Sequence, residues 1–268
     1  MTGSQFAAMV AAVSVALGLV MTAAWLIWRR TENSGWVDAT WTFGLGAIGV
    51  AGALTPGQTG SLTERQILVA AIIACWSLRL GLHIAHRTAR IVDDPRYAKL
   101  LRAWGADAPR QMFFLLQKQA LVSVPLGVSM VIAAWNPVPG LRVADLVGAA
   151  VLIIGIGGEG LADRQLRRFR AEPANRGQIC DSGLWSWSRH PNYFFEWFGW
   201  LAYPLIAIGP TYSWGWLALA GPACMYWLLV YVSGIPPLEE HMQEVRAEAF
   251  LAYRARTSKF FPSPPRSV

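Results

Sequence analysis

Seven apolar stretches dominate this chain, and each is close to the roughly 20 residues that an α-helix needs to cross a bilayer. They cover residues 7–28, 36–54, 67–85, 112–135, 143–161, 193–208 and 214–232. The composition agrees, because 54% of the 268 residues are hydrophobic and only 15% are charged. A chain this apolar is not typical of a soluble domain. We predict one all-α integral membrane domain over residues 1–268, with seven transmembrane helices.

The basic residues predict how these helices are oriented. Twenty of the 23 Lys and Arg lie in alternate connections and in the tail, and the exceptions are Arg65, Arg79 and Arg142. Short cytoplasmic loops carry an excess of basic residues. We therefore predict that the N-terminus lies outside and the C-terminus in the cytoplasm. This topology also accounts for the net charge of +7, so no nucleic-acid partner is expected.

The tail and the cysteines complete the predicted architecture. After Pro236 and Pro237, apolar residues spaced by three and four predict an amphipathic helix over residues 238–257 on the membrane surface. The predicted apolar face consists of Leu238, Met242, Val245, Ala249 and Tyr253. Three cysteines far apart in the chain predict neither a disulfide nor a metal site. We expect a monomer surrounded by membrane lipids.

Polar side chains crowd the start of the sixth stretch, namely Arg189, His190, Asn192 and Tyr193. Pro191 suits the first turn of a helix, where free backbone amides favour an anion. Glu196 follows one turn inside the stretch, and a carboxylate at that depth usually faces a polar cavity. The alternative is a set of headgroup anchors within an interfacial aromatic belt.

A second polar cluster continues the fifth stretch into the predicted cytoplasm: Glu159, Asp163, Arg164, Arg167, Arg168, Arg170, Asn175 and Arg176. Guanidinium groups bind phosphates through paired hydrogen bonds. Basic residues after a span also attract anionic lipid, which is the simpler alternative. The two carboxylates favour a nucleotide, because they accept hydrogen bonds from ribose and adenine groups and gain nothing from anionic lipid.

These residues resemble a known family. Residues 183–185, 189–193 and Glu196 are similar to the C-terminal signature of membrane steroid 5α-reductases and related sterol reductases, and the bacterial branch is the nearest match. The supporting motifs are residues 38–41, Arg79-Leu80 with His83 and Arg87, residues 94–97, 163–170 and 175–177, and Leu238-Glu239 with Tyr253. The resemblance implies a bacterial cytoplasmic membrane as the location.

The resemblance further implies that NADPH binds from the cytoplasmic side. Several arginines suit its 2′-phosphate. No Gly-x-Gly-x-x-Gly fingerprint precedes a helix in a soluble βαβ pattern, so a Rossmann site is not expected. Together with the two clusters, the resemblance makes these residues the cofactor-binding candidates: Glu159, Asp163, Arg167, Arg170, Asn175, Arg176, Arg189, His190, Asn192, Tyr193, Glu196, Trp200, His241, Tyr253 and Arg256.

The reaction implied is hydride transfer to the β-carbon of an α,β-unsaturated ketone, while an acid hydrogen-bonds the carbonyl. A lipid-soluble enone, with a 3-oxo-Δ4 steroid as the family's substrate, would enter from the bilayer. The chain departs from animal members, since it has no Gln-Glu pair in helix 2 and has Ile84 at the helix 3 tyrosine position. Candidates for the missing acid are Asp38, His83 and Tyr97, with Trp41 and Arg87 for substrate binding.

Asp38 is the preferred acid, because an ionisable group at the end of a span indicates a specific role and burial would favour its protonated form. A role in capping the helix explains its position equally well. Two rival functions remain. Isoprenylcysteine-type methyltransferases, which use S-adenosylmethionine, share the Arg-His-Pro-x-Tyr element. A non-enzymatic lipid-binding protein would leave Glu196, Glu159 and Asp38 unexplained at membrane depth. Seven spans and the excess of arginine favour the reductase.

Overall fold

The computed structural model describes residues 1–56, 60–90 and 95–266, and the side chains of these residues except at positions 95–96. Asp94, part of the predicted motif 94–97, lies outside the described residues. The fold is 79% helical, and the only β-pairing in the described part of the chain is an isolated bridge between Gly209 and Tyr212. The helices are α1 Gly3–Thr31, α2 Gly35–Ala53, α3 Glu64–Thr88, α4 Pro95–Trp104, α5 Ala108–Ala134, α6 Val143–Ala171, α7 Leu184–Trp187, α8 Pro191–Trp200, α9 Ala202–Ala207, α10 Ala220–Trp227, α11 Ile235–Val245 and α12 Ala247–Arg256.

Among the residues that the structure describes, five helical segments are long and apolar enough to cross a membrane: Gly3–Thr31, Glu64–Thr88, Tyr97–Ala134, Val143–Ala171 and Ser213–Val245. Their exposed surfaces are apolar as well. Leu19, Leu82, Leu121 and Ile153 each leave more than half of their surface uncovered. Large apolar side chains facing outward from several long helices are typical of a lipid-facing surface. The protein is therefore built as an integral membrane protein.

The sixth predicted stretch is not one continuous helix. α8 ends at Trp200, and α9 begins at Ala202. Pro204, at the third position of α9, cannot donate a backbone hydrogen bond, and its ring would clash with the carbonyl of Trp200 in a continuous helix. The seventh stretch is irregular in the same way, because Pro222 is the third residue of α10, and a 3₁₀ segment, Ser213–Leu219, precedes it.

The predicted tail helix over residues 238–257 is also wrong as a single element. It consists of α11 and α12, which meet at Arg246 with φ −145° and ψ 48°. The break changes which residues face inward. Val245, predicted to lie on the apolar face, is exposed, while Phe250 and Tyr253 are buried.

Within the predicted domain the chain divides into two compact units, and the first contains Met1–Ala149 and Tyr203–Cys224. In this unit α2 packs against α1, α3 and α5. A Cβ added to Gly35 would touch Thr88, and one added to Gly46 would touch Ser77, so α2 and α3 run antiparallel. The start of α2 therefore lies beside the end of α3.

A buried ion-pair network closes the opposite end of the first unit. Arg65 pairs with Asp145 at 2.9 Å, and the two side chains are 1% and 0% exposed. The two Nη atoms of Arg65 also donate to the backbone oxygens of Asn136, Val138 and Gly140. Arg142 also pairs with Asp145 at 2.9 Å. Two of the three basic residues that departed from the loop pattern are thus paired with one shared carboxylate.

The second unit contains Ala150–Ala202 and Met225–Val268. A Cβ on Gly155 of α6 would lie 2.8 Å from the Cα atom of Gly199 in α8, so the two backbones touch and only glycine fits there. Farther along α6, the carbonyl of Ala162 accepts a hydrogen bond from the Trp185 indole at 3.0 Å. Later residues of α6 thus meet earlier residues of the following segment, which makes the pairing antiparallel.

Candidate functional site

Three buried carboxylates lie on the two packed helices of the second unit. Glu159 and Asp163 are one turn apart on α6, and Glu196 is on α8; their exposed fractions are 6%, 7% and 8%. Glu196 accepts a hydrogen bond from the indole of Trp200 at 2.9 Å. Burying carboxylates in an apolar helical unit is costly, so their presence indicates a functional site.

The same face of α6 becomes cationic towards its end. Arg167 and Arg170 follow Glu159 and Asp163 at helical spacing, and both are exposed. Beyond α6 the 3₁₀ turn Pro173–Asn175 is fixed by the Asn175 amide, which donates to the Phe169 carbonyl at 2.9 Å. The exposed Arg176 follows that turn. One surface therefore combines buried hydrogen-bond acceptors with solvent-accessible guanidinium groups.

Arg189 and His190 have a different environment from the one we predicted. Both are buried, and both contact the same oxygen of Glu239 on α11, the Arg189 Nε at 2.8 Å and the His190 Nε2 at 3.1 Å. Arg189 also donates to the Thr257 carbonyl at 2.7 Å, and its backbone N–H donates to the Ser258 carbonyl. These contacts hold the C-terminal tail against the start of α8.

Tyr253 belongs to the same connection. Its hydroxyl donates to the Trp185 carbonyl at 2.5 Å, and Ser188 donates to the carbonyl of Phe260. Burial raises the pKa of the Tyr253 phenol, so the hydroxyl stays protonated and keeps donating. Arg189, His190 and Tyr253 therefore position the α7–α8 segment, and Glu239, which we had not placed in the site, joins them. Its place just after Pro237 at the start of a helix was the available signal.

The remaining candidates of this unit lie closer to solvent. Tyr193 is half-buried and stacks on His190 with ring centroids 5.8 Å apart. Asn192 is half-buried in the first turn of α8, and His241 is exposed. Arg256 is exposed and pairs with Asp181 at 2.7 Å. The structure thus gathers the predicted cofactor residues into one unit, some beside the buried carboxylates and others in the tail connection.

We predict an acid-sensitive stability from His190. Burial lowers the pKa of its imidazole below the ordinary 6.5; the Glu239 carboxylate opposes this effect, while Arg189 and Lys259 add to it. As the pH falls below 6.5 the unfolded chain binds a proton that the folded chain does not, so the free energy of unfolding decreases. Thermal unfolding in detergent between pH 7.5 and 5.5 measures this loss. His190→Gln should flatten the pH dependence, and exposed His241→Gln serves as the control; equal slopes in both variants would contradict the assignment.

Polar residues also gather where α2 begins and α3 ends, in the first unit. Trp41 donates its indole N–H to the Ser123 hydroxyl at 2.8 Å, and the Gln119 amide donates to the Tyr97 hydroxyl at 3.2 Å. Gln119 and Ser123 are one turn apart on α5. Trp41 and Tyr97, a substrate-binding and an acid candidate, are therefore held on one face of this helix.

The other candidates lie at the same end of the first unit. Asp38 is half-buried one turn before Trp41, and its carbonyl accepts from the Thr42 hydroxyl at 2.8 Å. His83 is half-buried and Arg87 is exposed, both near the end of α3. Sequence reasoning missed Gln119, because an amide near the start of a span is also typical of a headgroup contact.

The comparisons with known proteins give one match. Residues 24–257 match the model of a family described as "Protein of unknown function (DUF1295)". No curated protein and no solved structure matches the chain.

Proposed function

Because this chain belongs to the DUF1295 family, which includes steroid 5α-reductase-like proteins, we propose that it is an NADPH-dependent reductase of a lipid-soluble α,β-unsaturated ketone. The observation that carries the proposal is the face of α6, where the buried Glu159 and Asp163 lead to the exposed Arg167 and Arg170. A dinucleotide needs both kinds of group. Its ribose and amide groups donate hydrogen bonds, and its phosphates bind guanidinium groups.

The side chains of the second unit fit NADPH in their chemistry. Asp163 and Glu196 supply acceptors, Trp200 fixes the Glu196 carboxylate, and Arg170 and Arg176 supply exposed positive charge for phosphates. When bound, the cofactor supplies a hydride to the β-carbon of the enone. Arg189, His190 and Tyr253 act indirectly, since they hold the segment from which Glu196 projects.

The first unit offers the acid for the carbonyl oxygen. Tyr97 is buried, and the Gln119 amide fixes the orientation of its hydroxyl. A phenol so placed donates a hydrogen bond that strengthens as negative charge develops on the carbonyl oxygen. Tyr97 is thus a better candidate than Asp38, because Asp38 lies where a helix-capping carboxylate would also lie.

The charge distribution of the first unit supports the proposed orientation, with seven spans, an outside N-terminus and a cytoplasmic C-terminus. Arg29, Arg30, Arg87 and Arg90 are exposed at the end that carries Asp38 and Tyr97. At the other end Arg65 and Arg142 are paired with Asp145. Within the described residues of this unit, the exposed cations at the Asp38 end fit the excess of basic residues in cytoplasmic loops. In this topology α2 and the α8–α9 segment are the two remaining spans.

Ligand-induced stabilisation tests the function directly. The purified protein in detergent is heated with NADPH, NADH or S-adenosylmethionine, and a ligand of the folded state raises the unfolding midpoint. We expect the largest shift with NADPH, followed by oxidation of NADPH in the presence of a 3-oxo-Δ4 steroid or another lipid enone. A shift with S-adenosylmethionine alone would instead indicate a methyltransferase. No shift with any of the three would favour a non-enzymatic lipid-binding protein.

Replacing Arg170 and Arg176 together with Ala should weaken NADPH binding by roughly tenfold to a hundredfold, while NADH binding changes little, because only NADPH carries the additional phosphate. The measurement is the concentration of each cofactor that gives half of its full thermal shift. Arg254→Ala removes an exposed arginine of α12 and is the matched control. Equal losses for NADPH and NADH would show that the pair does not recognise the 2′-phosphate.

A further inference from the structure

The face of α6 opposite its buried carboxylates carries both apolar and basic side chains. Leu161, Arg164, Gln165 and Arg168 occupy positions i, i+3, i+4 and i+7 of α6, so they share one face. Ile154, two turns earlier on this face, is also exposed. The face therefore changes from apolar to cationic along the helix axis.

Arg164 and Arg168 differ from the arginines on the cofactor face. Both are exposed, and within the described residues neither makes an ion pair or a hydrogen bond, in contrast to Arg167 and Arg170. They are also one turn apart, where two like charges repel each other by a few tenths of a kcal/mol. An anion bound between them would remove this repulsion.

A cleft of about 390 Å³ opens on the same stretch of α6, where Leu161 and Gln165 line it and Arg164 and Arg168 are their neighbours along the helix. The residues that line it include Leu161, Gln165, Trp187, Phe195 and Pro262. Gln165 also fixes the loop that forms one wall, since its side-chain oxygen accepts from the Leu184 backbone N–H at 2.9 Å. The cleft is thus preformed, largely apolar, and within the usual volume range of a small-ligand site.

The dimensions of this face match a membrane interface. Arg164 and Arg168 lie one and two turns beyond Leu161, about 5 and 10 Å along the axis. The polar layer on each side of the hydrocarbon core is about 5–8 Å thick. The exposed Trp187 in the cleft wall is a residue type enriched at this depth.

We propose that the cleft beside α6 binds one anionic phospholipid, with its phosphate on Arg164 and Arg168 and its glycerol and upper acyl chain against Leu161 and Phe195. Two unpaired guanidinium groups match an anionic headgroup. Leu161 lines the cleft and is exposed on the same helix face as Ile154, which favours a lipid over a soluble anion. This site uses neither the carboxylates nor the arginines of the proposed NADPH site.

The test is thermal unfolding of delipidated protein in a neutral detergent, titrated with phosphatidylglycerol, with phosphatidylcholine or with soluble glycerol 3-phosphate. We expect only phosphatidylglycerol to raise the unfolding midpoint. The double variant Arg164→Gln, Arg168→Gln should weaken its apparent affinity about 25-fold, at roughly fivefold per interfacial arginine. Arg254→Gln, an exposed arginine on α12, should leave the affinity unchanged.

Several results would overturn the proposal. An equal shift with phosphatidylcholine would mean that only hydrocarbon is recognised, and an equal shift with glycerol 3-phosphate would indicate a soluble anion. A phosphatidylglycerol response that survives the double variant, or is lost equally in Arg254→Gln, would exclude this pair of arginines. The NADPH-induced shift should persist in the double variant, so failure of this proposal and failure of the reductase proposal are distinguishable.

Discussion

Asp145→Asn is expected to lower the stability of the protein by about 3 kcal/mol. The substitution removes the carboxylate that Arg65 and Arg142 share, and both Asp145 and Arg65 are almost completely buried. An uncompensated guanidinium would remain in an apolar interior. The three backbone carbonyls that still accept from Arg65 place the loss at the lower end of the usual range for a broken buried ion pair.

A matched control comes from a second aspartate of the same chain. Asp181 pairs with Arg256 at 2.7 Å, but the two side chains are 42% and 47% exposed. Asp181→Asn should cost less than about 1 kcal/mol, because solvent screens exposed ion pairs. Thermal unfolding of both variants in the same detergent measures the difference. Similar losses in the two variants would mean that the Arg65 network contributes no more than a surface pair.

Tyr97→Phe is expected to reduce turnover about 100-fold or more while leaving NADPH binding almost unchanged. The change deletes the hydroxyl that Gln119 orients and that we propose donates to the substrate carbonyl. It retains the ring and its burial, so the packing of the first unit is preserved. The measurements are the rate of NADPH oxidation with saturating enone and, separately, the NADPH-induced thermal shift.

Two comparison variants make this result specific. Tyr212 is a buried tyrosine whose hydroxyl has no hydrogen-bond partner within the described residues, so Tyr212→Phe matches the change without touching the proposed site. Asp38→Asn tests the competing acid. Normal turnover in Tyr97→Phe together with a large loss in Asp38→Asn would transfer the role to Asp38.

The membrane character of the protein and its two polar clusters could be predicted from local sequence pattern. Long apolar stretches predicted helices that the structure contains, because a 20-residue apolar segment has few alternatives to a helix in a membrane. Helical spacing also put Glu159 and Asp163 on one face of α6, where they are buried together. Pro204 and Pro222 were the sequence signals for the interruptions in the sixth and seventh stretches, although a hydropathy profile alone does not show them.

The pairing of distant segments was decided by the tertiary structure. Arg189 and His190 had the chemistry of anion-binding residues, yet in the folded chain they bind Glu239, 50 and 49 positions later in the sequence. Gln119 had the signature of a headgroup contact, yet it holds Tyr97. A side chain's partner depends on which segments meet in space, and local spacing carries no information about contacts between segments far apart in the chain.

The sequence by itself determined that this is a helical membrane protein with carboxylates and arginines concentrated near α6 and α8, because length, hydropathy and charge act locally. The tertiary structure decided which of those charges are available to a ligand. Arg65 and Arg189 are buried and paired, so they stabilise the fold. Arg164 and Arg168 are exposed, so they are accessible to a ligand. The physical reason is that the cost of burying a charge is met only by a specific partner, and that partner is supplied by folding.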